Sequence, residues 1–282
     1  MTLCLIWRAE GALQFASDSR LRFGSAEADI AIKIGREKYR ITGAGMIGRN
    51  SPPLAEGDLA FCFAGSGVGA SFMKESLAGV LGGMQAVQGW NDHSFAGVAA
   101  LVFEVYKAIS RKLTAAIFDV GFVDLVVAGL CAVEGHHRAF RCRPAPGQQD
   151  EKGRQLYLMT EILRSGPPYV LFGSGATAAQ ARINAGAAPA NSGDMLRILK
   201  EVIDDPQVGD VGGSIQFGQF VGTSFSTSGI LEVATNPDDG IARAHYWRGA
   251  LDLGDAAFED KFILGYPLLQ LSDFYPIKVD SA

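Results

Sequence analysis

The sequence lacks the cysteine patterns that mark a disulfide scaffold or a structural zinc site. Four cysteines occur in 282 residues, and none of them forms a Cys-x-x-Cys pair. A chain of this length can bury a core without cross-links, so neither kind of site is expected. Cys62 and Cys131 stand inside apolar runs and are interpreted as small buried hydrophobic residues.

Positive charge and long hydrophobic runs are also scarce. Lys and Arg number 25 against 30 Asp and Glu, and the net charge of −5 with no basic run disfavours nucleic-acid binding. Acidic residues such as Asp119, Asp124 and Glu134 interrupt the longest apolar stretches, so no run of about 20 apolar residues is available to span a membrane. The N-terminus shows no secretory pattern, and residence in the cytoplasm is therefore the default expectation.

Apolar residues are plentiful. They make up 48% of the sequence against 20% charged residues, which is enough to bury a sizeable core. We predict a single domain over residues 1–282, with a core at about 2–235 and a C-terminal extension at about 249–282. Residues 43–57 are rich in Gly and Pro and are predicted to form a surface loop.

Hydrophobic periodicity predicts strands and helices in groups. Alternating or short apolar runs predict strands over 2–8, 12–19, 30–34, 59–64, 123–133, 137–143, 155–161, 169–172, 214–222, 228–234 and 242–248. Helical spacing predicts helices over about 71–84, from Asp92 or Ser94 to about 115, over 176–186, and over 194–204 with Asp194 as N-cap. Grouped strands and paired helices favour an α+β fold with two mostly antiparallel sheets covered by helices.

Thr2 would combine a nucleophile and a base in one residue if Met1 were removed. A hydroxyl ionises too weakly to attack an amide without a nearby base, and an N-terminal threonine can use its own α-amine. The reference pKa of an α-amine is about 7.7–8.0, so much of it is neutral at cellular pH.

The first predicted hairpin brings charged residues towards Thr2. A turn centred at Glu10 pairs residues whose numbers sum to 20, which makes Asp18 the cross-strand neighbour of Thr2. Lys33 is predicted on the strand face opposite the isoleucines, where it could pair with Asp18 and lower the pKa of the Thr2 hydroxyl and amine. The plainer alternatives are a strand-end carboxylate for Asp18 and a solvated edge lysine for Lys33.

These residues, in this order and spacing, resemble the proteasome β-subunits, which are N-terminal-nucleophile hydrolases. The matching segments are Thr2, Ala16-Ser17-Asp18-Ser19-Arg20, Lys33-Ile34 and Phe63-Ala64-Gly65-Ser66-Gly67. The chain looks closest to the Anbu-type bacterial proteasome homologues, strongly over about residues 2–75 and more loosely to about 235. The resemblance implies a four-layer αββα sandwich of the N-terminal-nucleophile type.

The resemblance also implies roles for the residues near the N-terminus. Thr2 would be the nucleophile and its α-amine the general base. Asp18 would hold Lys33, and Lys33 would tune Thr2 electrostatically. Ser19 and Arg20 would support Asp18.

Three further residues receive roles from the same resemblance. Gly65 would donate its N–H to the oxyanion, an interaction typically worth about 3–4 kcal/mol of barrier. Ser174, in a Gly-Ser-Gly segment, would lie near the terminal amine, and Asp210 would help to position it. The family usually has a serine three residues after this aspartate, but Gly213 stands there and Ser214 follows.

The function implied is that of a threonine-type peptidase without metal or cofactor. Its substrates would be peptides or unfolded proteins, and its partners further copies of the chain in a ring or helical ring-like assembly; an ATPase partner is left open. Two alternatives stay open: an amidase for small amides that uses the same Thr2 chemistry, and a catalytically silent assembly subunit.

Two other patterns are weaker. Gly65-Ser66-Gly67-Val68-Gly69-Ala70 follows a strand and superficially suggests a phosphate-binding loop, but no parallel βαβ continuation is apparent. His136 and His137 follow Gly135 in a predicted turn, where a surface or interface role is favoured over metal binding.

Overall fold

The structure, a computed structural model, describes residues 2–9, 11–23, 26–45, 52–117, 121–186, 188–235, 240, 242–253 and 268–270. The chain divides into two units. The first is formed by Met1–Ile34, Leu171–Gln219 and Ser226–Ala282, and the second by Gly35–Val170 and Phe220–Phe225. Most of the predicted C-terminal extension lies outside the described residues.

Sixteen strands and four helices form within the described residues. The strands are β1 (Cys4–Ala9), β2 (Ala12–Ser17), β3 (Leu21–Phe23), β4 (Ala26–Ala28), β5 (Ile34–Thr42), β6 (Pro53–Gly65), β7 (Met84–Gln85), β8 (Val123–Cys131), β9 (His136–Gln149), β10 (Gln155–Ile162), β11 (Tyr169–Phe172), β12 (Gln216–Val221), β13 (Ser224–Thr235), β14 (Ala242–Arg248), β15 (Leu251–Asp252) and β16 (Leu268–Gln270). The helices are α1 (Gly67–Leu81), α2 (Phe95–Ile117), α3 (Ala176–Ala185) and α4 (Ser192–Ile203).

The first unit is built on a sheet in the order β11-β1-β2-β12-β13-β14-β15, with β16 parallel to β13. Helices α3 and α4 contact each other, and α4 lies against β1 and β2. The apolar stripe of α4 is buried, with Met195, Leu196 and Leu199 almost wholly inaccessible. Asn191 rather than Asp194 caps this helix, because its side chain accepts a hydrogen bond from the Asp194 N–H at 3.0 Å.

The second unit is built on a sheet in the order β10-β9-β8-β6-β5-β7. Helices α1 and α2 contact each other and the strands of this sheet, and the apolar faces together form one core cluster. Tyr106 of α2 is wholly buried in that cluster, and its hydroxyl donates a 2.6 Å hydrogen bond to the Val123 carbonyl. Burial raises the pKa of the Tyr106 phenol, so this group stays a neutral donor.

The four helices and most strands form close to their predicted bounds, but besides the N-cap of α4 three further local predictions are wrong. No strand forms over 30–34; β5 begins at Ile34 instead. The predicted loop over 43–57 is shorter, since β6 already begins at Pro53 and residues 46–51 lie outside the described part.

Among the described helices, none has the length and apolar character needed to cross a lipid bilayer.

The register of the first hairpin also differs from the prediction, by one residue. Cys4 pairs with Ser17 and Ala9 with Ala12, so paired numbers sum to 21 rather than 20. Only two residues therefore connect the strands, and Gly11 adopts a φ of 77° there. Asp18 consequently lies opposite Leu3 rather than Thr2, and its N–H is 3.4 Å from the Leu3 carbonyl oxygen.

Candidate active site

Asp18, just after β2, is a buried carboxylate surrounded by donors. Its Oδ1 accepts hydrogen bonds from Lys33 Nζ at 2.9 Å and from the Leu3 N–H at 3.0 Å. Its Oδ2 accepts from the N–H groups of Arg20 and Gly212, both at 3.2 Å. Four donors offset the loss of water around this anion, as a buried charge requires.

Lys33 is wholly buried, although lysine is almost never fully buried unless it is paired. Its neighbours Ile30 and Ile32 are 67% and 61% exposed, which is the opposite of the predicted pattern. The segment before β5 is not a strand of either large sheet; instead the Ala31 N–H donates to the Ser19 carbonyl at 2.9 Å. This irregular path turns the lysine inward and brings its ammonium group to Asp18.

Thr2 lies against the Gly173-Ser174-Gly175 turn that precedes α3. The Thr2 nitrogen donates to Ser174 Oγ at 3.2 Å, and the Thr2 carbonyl accepts from the Gly175 N–H at 3.2 Å. A Cβ on Gly175 would stand 2.9 Å from Leu3 Cβ, so only glycine lets this turn approach the first strand so closely. Thr2 is 1% exposed and is followed by the amide that binds Asp18.

Ser19 joins the end of the first hairpin to the segment before β12. Its Oγ accepts from the Ser214 N–H at 2.9 Å and lies 3.2 Å from Ser214 Oγ. A Cβ on Gly213, whose φ is 75°, would collide with the Ser19 hydroxyl and stand 2.7 Å from Asp29 Cβ. The backbone conformation at 213 therefore requires glycine. The hydroxyl group beside Ser19 belongs to the next residue, Ser214, and it also donates to the Gly249 carbonyl at 2.9 Å.

Arg20 and Asp210 are engaged in ion pairs. The Arg20 guanidinium binds both carboxylate oxygens of Asp29, at 2.8 and 3.1 Å, and this hydrogen bonding raises the pKa of Arg20 above its usual range. Asp210 Oδ1 accepts a hydrogen bond from Arg22 Nη1 at 2.7 Å. Among the described contacts, none joins Asp210 to Ser174, so a role for Asp210 in positioning that serine stays a prediction.

Gly65 belongs to the second unit, at the end of β6. Its φ is 100°, and a Cβ there would stand 2.5 Å from the Phe122 carbonyl oxygen, so the backbone requires glycine. The next residue, Ser66, donates its N–H to the same carbonyl at 2.9 Å and caps α1 through the Gly69 N–H at 3.0 Å. The assignment of Gly65 to an oxyanion hole stays a prediction.

Two polar residues to which the sequence assigned no role, Ser17 and Gln216, also support this arrangement. Ser17 Oγ donates to the Leu3 carbonyl at 3.0 Å, and Gln216 Oε1 accepts from the Lys33 N–H at 2.9 Å. Gln216 interrupts an apolar run between Ile215 and Phe217, and this interruption is the signal that the sequence offers for it. Within the part of the chain that the structure describes, no group of three or more His, Cys, Asp and Glu side chains is placed to hold a metal ion.

Comparison with solved structures identifies the fold. The Anbu (ancestral beta-subunit) protein from Yersinia bercovieri matches with a TM-score of 0.55 and 15% identity, over 80% of this chain and 86% of that one. The fold is of the Anbu type. An Anbu complex from Pseudomonas aeruginosa, solved as a helical assembly, matches with a TM-score of 0.51 and 16% identity over 90% of this chain and 88% of that one.

A third Anbu structure supports the same conclusion. The Anbu (Gly-1) mutant from Hyphomicrobium sp. strain MC1 matches with a TM-score of 0.50 and 15% identity, over 81% of this chain and 85% of that one. No family model matches the sequence, and neither does any curated protein. The proteasome-like α+β fold is thus confirmed, and at such identities the likeness concerns the fold alone.

Proposed function

We propose that this chain is a threonine peptidase of the N-terminal-nucleophile type, in which Thr2 attacks peptide bonds after removal of Met1. The observation that carries the proposal is the wholly buried Lys33–Asp18 pair, 2.9 Å apart, on the carboxylate that also binds the Leu3 amide. Desolvation offsets most of the Coulomb gain of a buried ion pair, so stability is a poor reason for keeping one. A fixed cation close to the proposed nucleophile would be a chemical reason.

The reaction would begin with proton transfer from Thr2 Oγ1 to the Thr2 α-amine. Oγ1 attacks the substrate carbonyl carbon, and the proton then passes to the leaving amine as the C–N bond breaks, which leaves an ester on Thr2. Water, deprotonated by the same amine, attacks the ester, and Oγ1 recovers its proton as the acid product leaves. The Lys33 charge favours the neutral amine and the ionised hydroxyl.

The neighbouring residues would orient these groups. Ser174 Oγ, 3.2 Å from the Thr2 nitrogen, would accept a hydrogen bond from the amine and direct its lone pair towards the hydroxyl. Gly65 would supply the oxyanion donor, and Ser19 and Arg20 would stabilise the surroundings of Asp18.

The proposal extends to architecture and assembly. A four-layer αββα sandwich forming one domain is proposed because each unit has one large sheet and one pair of helices. The Pseudomonas aeruginosa relative in fold was solved as a helical assembly, and we expect copies of this chain to form a ring or helical ring-like assembly in the cytoplasm.

The test combines N-terminal mass analysis with substitution of Thr2. We expect the intact mass to show loss of Met1 and Thr2→Ala to lower peptide turnover at least ~1,000-fold, because nucleophile and attached base act as a unit. Thr223→Ala, at an exposed threonine, is the control and should leave turnover unchanged. Light scattering should show the same assembly for all three proteins.

Other outcomes discriminate the alternatives. Peptide turnover by protein that keeps Met1, or by Thr2→Ala, would contradict the proposal. Labelling of Thr2 by a threonine-directed electrophile, with turnover of small amides but no peptide, would favour the amidase. Retention of Met1 in an intact assembly without any turnover would favour the silent assembly subunit.

A further inference from the structure

The Gln216 side chain, at the start of β12, has both ends of its amide occupied in a 4% exposed position. Its Oε1 accepts from the Lys33 N–H at 2.9 Å and lies 3.5 Å from the Ile34 nitrogen. Its Nε2 donates to the Ala31 carbonyl and, at 3.4 Å, to the Asp18 carbonyl. One side chain therefore binds the backbone of both members of the ion pair.

The segment that carries Lys33 depends on this amide. Residues 30–33 belong to no strand in the described structure, so their backbone groups need partners outside a sheet ladder. Gln216 supplies a donor for Ala31 and an acceptor for Lys33, as an adjacent strand would. Together with the hydrogen bond from the Ala31 N–H to the Ser19 carbonyl, a side chain 183 residues later in the sequence thus holds the backbone on both sides of Ile32.

We propose that Gln216 is a positioning residue that holds the Lys33 ammonium group at a fixed distance from Thr2. This inference rests on the proposed function of Thr2. The electrostatic effect of one charge on another falls with distance, so a displaced lysine would tune the Thr2 amine less. Neither Met nor Glu can replace the amide: Met offers no hydrogen bond, and Glu would face two carbonyl oxygens with a negative charge.

The chain offers a matched control on the same strand. Gln219 also forms an amide–amide hydrogen bond, accepting from Gln14 Nε2 at 3.2 Å, and has no described contact with Asp18 or Lys33. Gln219→Met therefore removes a hydrogen-bonded glutamine from β12 without touching the ion pair.

The experiment compares Gln216→Met, Gln216→Glu and Gln219→Met in the full chain, with Thr2 as the N-terminal residue. Turnover of a fluorogenic peptide gives kcat and KM, and pH-dependent acylation of the Thr2 α-amine by acetic anhydride gives its pKa without any turnover. We expect Gln216→Met to lower kcat about 10–100-fold with KM changed less than about twofold, because misplacement by about 1 Å has effects of this size.

The pH dependence separates positioning from a merely structural role. A weaker effect of Lys33 should raise the Thr2 amine pKa by about 0.5–1 and move the acid limb of kcat/KM to higher pH by the same amount, further in Gln216→Glu. A loss of folded protein alone would lower kcat/KM at every pH without moving its acid limb. Gln219→Met should match the wild type in both readouts.

Several results would overturn the inference. An unchanged pKa of the Thr2 amine in Gln216→Met, or an equal change of this pKa in Gln219→Met, would contradict the positioning role of Gln216. Should Gln216→Met not fold, Gln216→Asn keeps both amide ends on a shorter stem, and an unmoved amine pKa there would count equally against it. Absence of peptide turnover in the wild type would defeat the proposed function, whereas the amine pKa still tests the positioning role.

Discussion

At the scale of single residues, the two members of the buried pair are supported unequally. Asp18 accepts from three backbone N–H groups besides Lys33, whereas the described partner of the Lys33 ammonium group is Asp18 alone. Removing the lysine leaves a carboxylate that keeps three donors, while neutralising the aspartate leaves a buried cation with a weakened partner. The pair should therefore respond asymmetrically to substitution.

We predict that Asp18→Asn lowers the free energy of unfolding by about 3–5 kcal/mol, since it leaves a buried charge uncompensated, and that Lys33→Met lowers it by less. Urea denaturation measures both. Lys107→Met, which removes a surface pair with Glu104, is the control and should change stability by about 0–1 kcal/mol. A larger loss in Lys33→Met than in Asp18→Asn would contradict the argument.

At the scale of elements, we predict that the substitution of glycine by alanine changes stability in opposite directions at two positions, Gly213 and Gly79. Gly213 has a φ of 75° and lies against Ser19 and Asp29, so Gly213→Ala should destabilise the fold by about 1–3 kcal/mol. Gly79 lies within α1 with open space around the position of a Cβ, so Gly79→Ala should stabilise by about 0.5–1 kcal/mol. Thermal unfolding of the two variants checks the signs, and a stabilising Gly213→Ala would refute the reason given for that glycine.

The helices could be predicted from the sequence, whereas the strand register and the path of residues 30–33 could not. Helices α1, α2 and α4 can be predicted because their apolar residues recur at helical spacing, a local pattern that remains in the folded chain. The predicted register of β1 and β2 differs from the observed one by one residue, because the sequence around Gly11 fits a connection of two residues as well as one of three. The isoleucines at 30, 32 and 34 predicted a strand, yet the path of this segment depends on hydrogen bonds to Gln216, far away in the sequence.

In the candidate site too, residues that are close in sequence could be predicted together, whereas contacts between distant segments could not. Thr2, Asp18 and Lys33 could be proposed together from the hairpin and from the family resemblance. The sequence shows Gly213 followed by Ser214 but gives no reason for the order, whereas the structure shows that a Cβ at 213 would collide with the Ser19 hydroxyl. No periodicity in the sequence reports a contact of this kind.

At the scale of the whole molecule, the fold is retained in the Anbu structures at about 15% identity. Alternation and helical periodicity can survive such divergence, since many apolar residues satisfy the same pattern. Ion pairs on and between the strands are less constrained, and those that lower the pKa of a carboxylate contribute to the response of this particular chain to acid.

Glu161 on β10 illustrates the response to acid. Arg138 binds both of its carboxylate oxygens, at 2.8 and 2.7 Å, and this hydrogen bonding holds the pKa of Glu161 below its ordinary value of 4.5. The native state then binds fewer protons than the unfolded state at acidic pH, so the contribution of Glu161 to stability is present above about pH 4.5 and is lost as the pH falls through the lowered pKa. Arg154 similarly lowers the pKa of Asp150 to about 2.

We therefore predict that the free energy of unfolding declines below about pH 4.5 and that Glu161→Gln makes this decline shallower while lowering stability at pH 7. Denaturant titrations between about pH 3 and 7 measure the slope. Glu151→Gln, at an exposed carboxylate without a described ion pair, is the control and should leave the slope unchanged. An equally steep decline in Glu161→Gln would show that acid acts elsewhere in the molecule, since removing the titrating group must remove its share of the proton uptake.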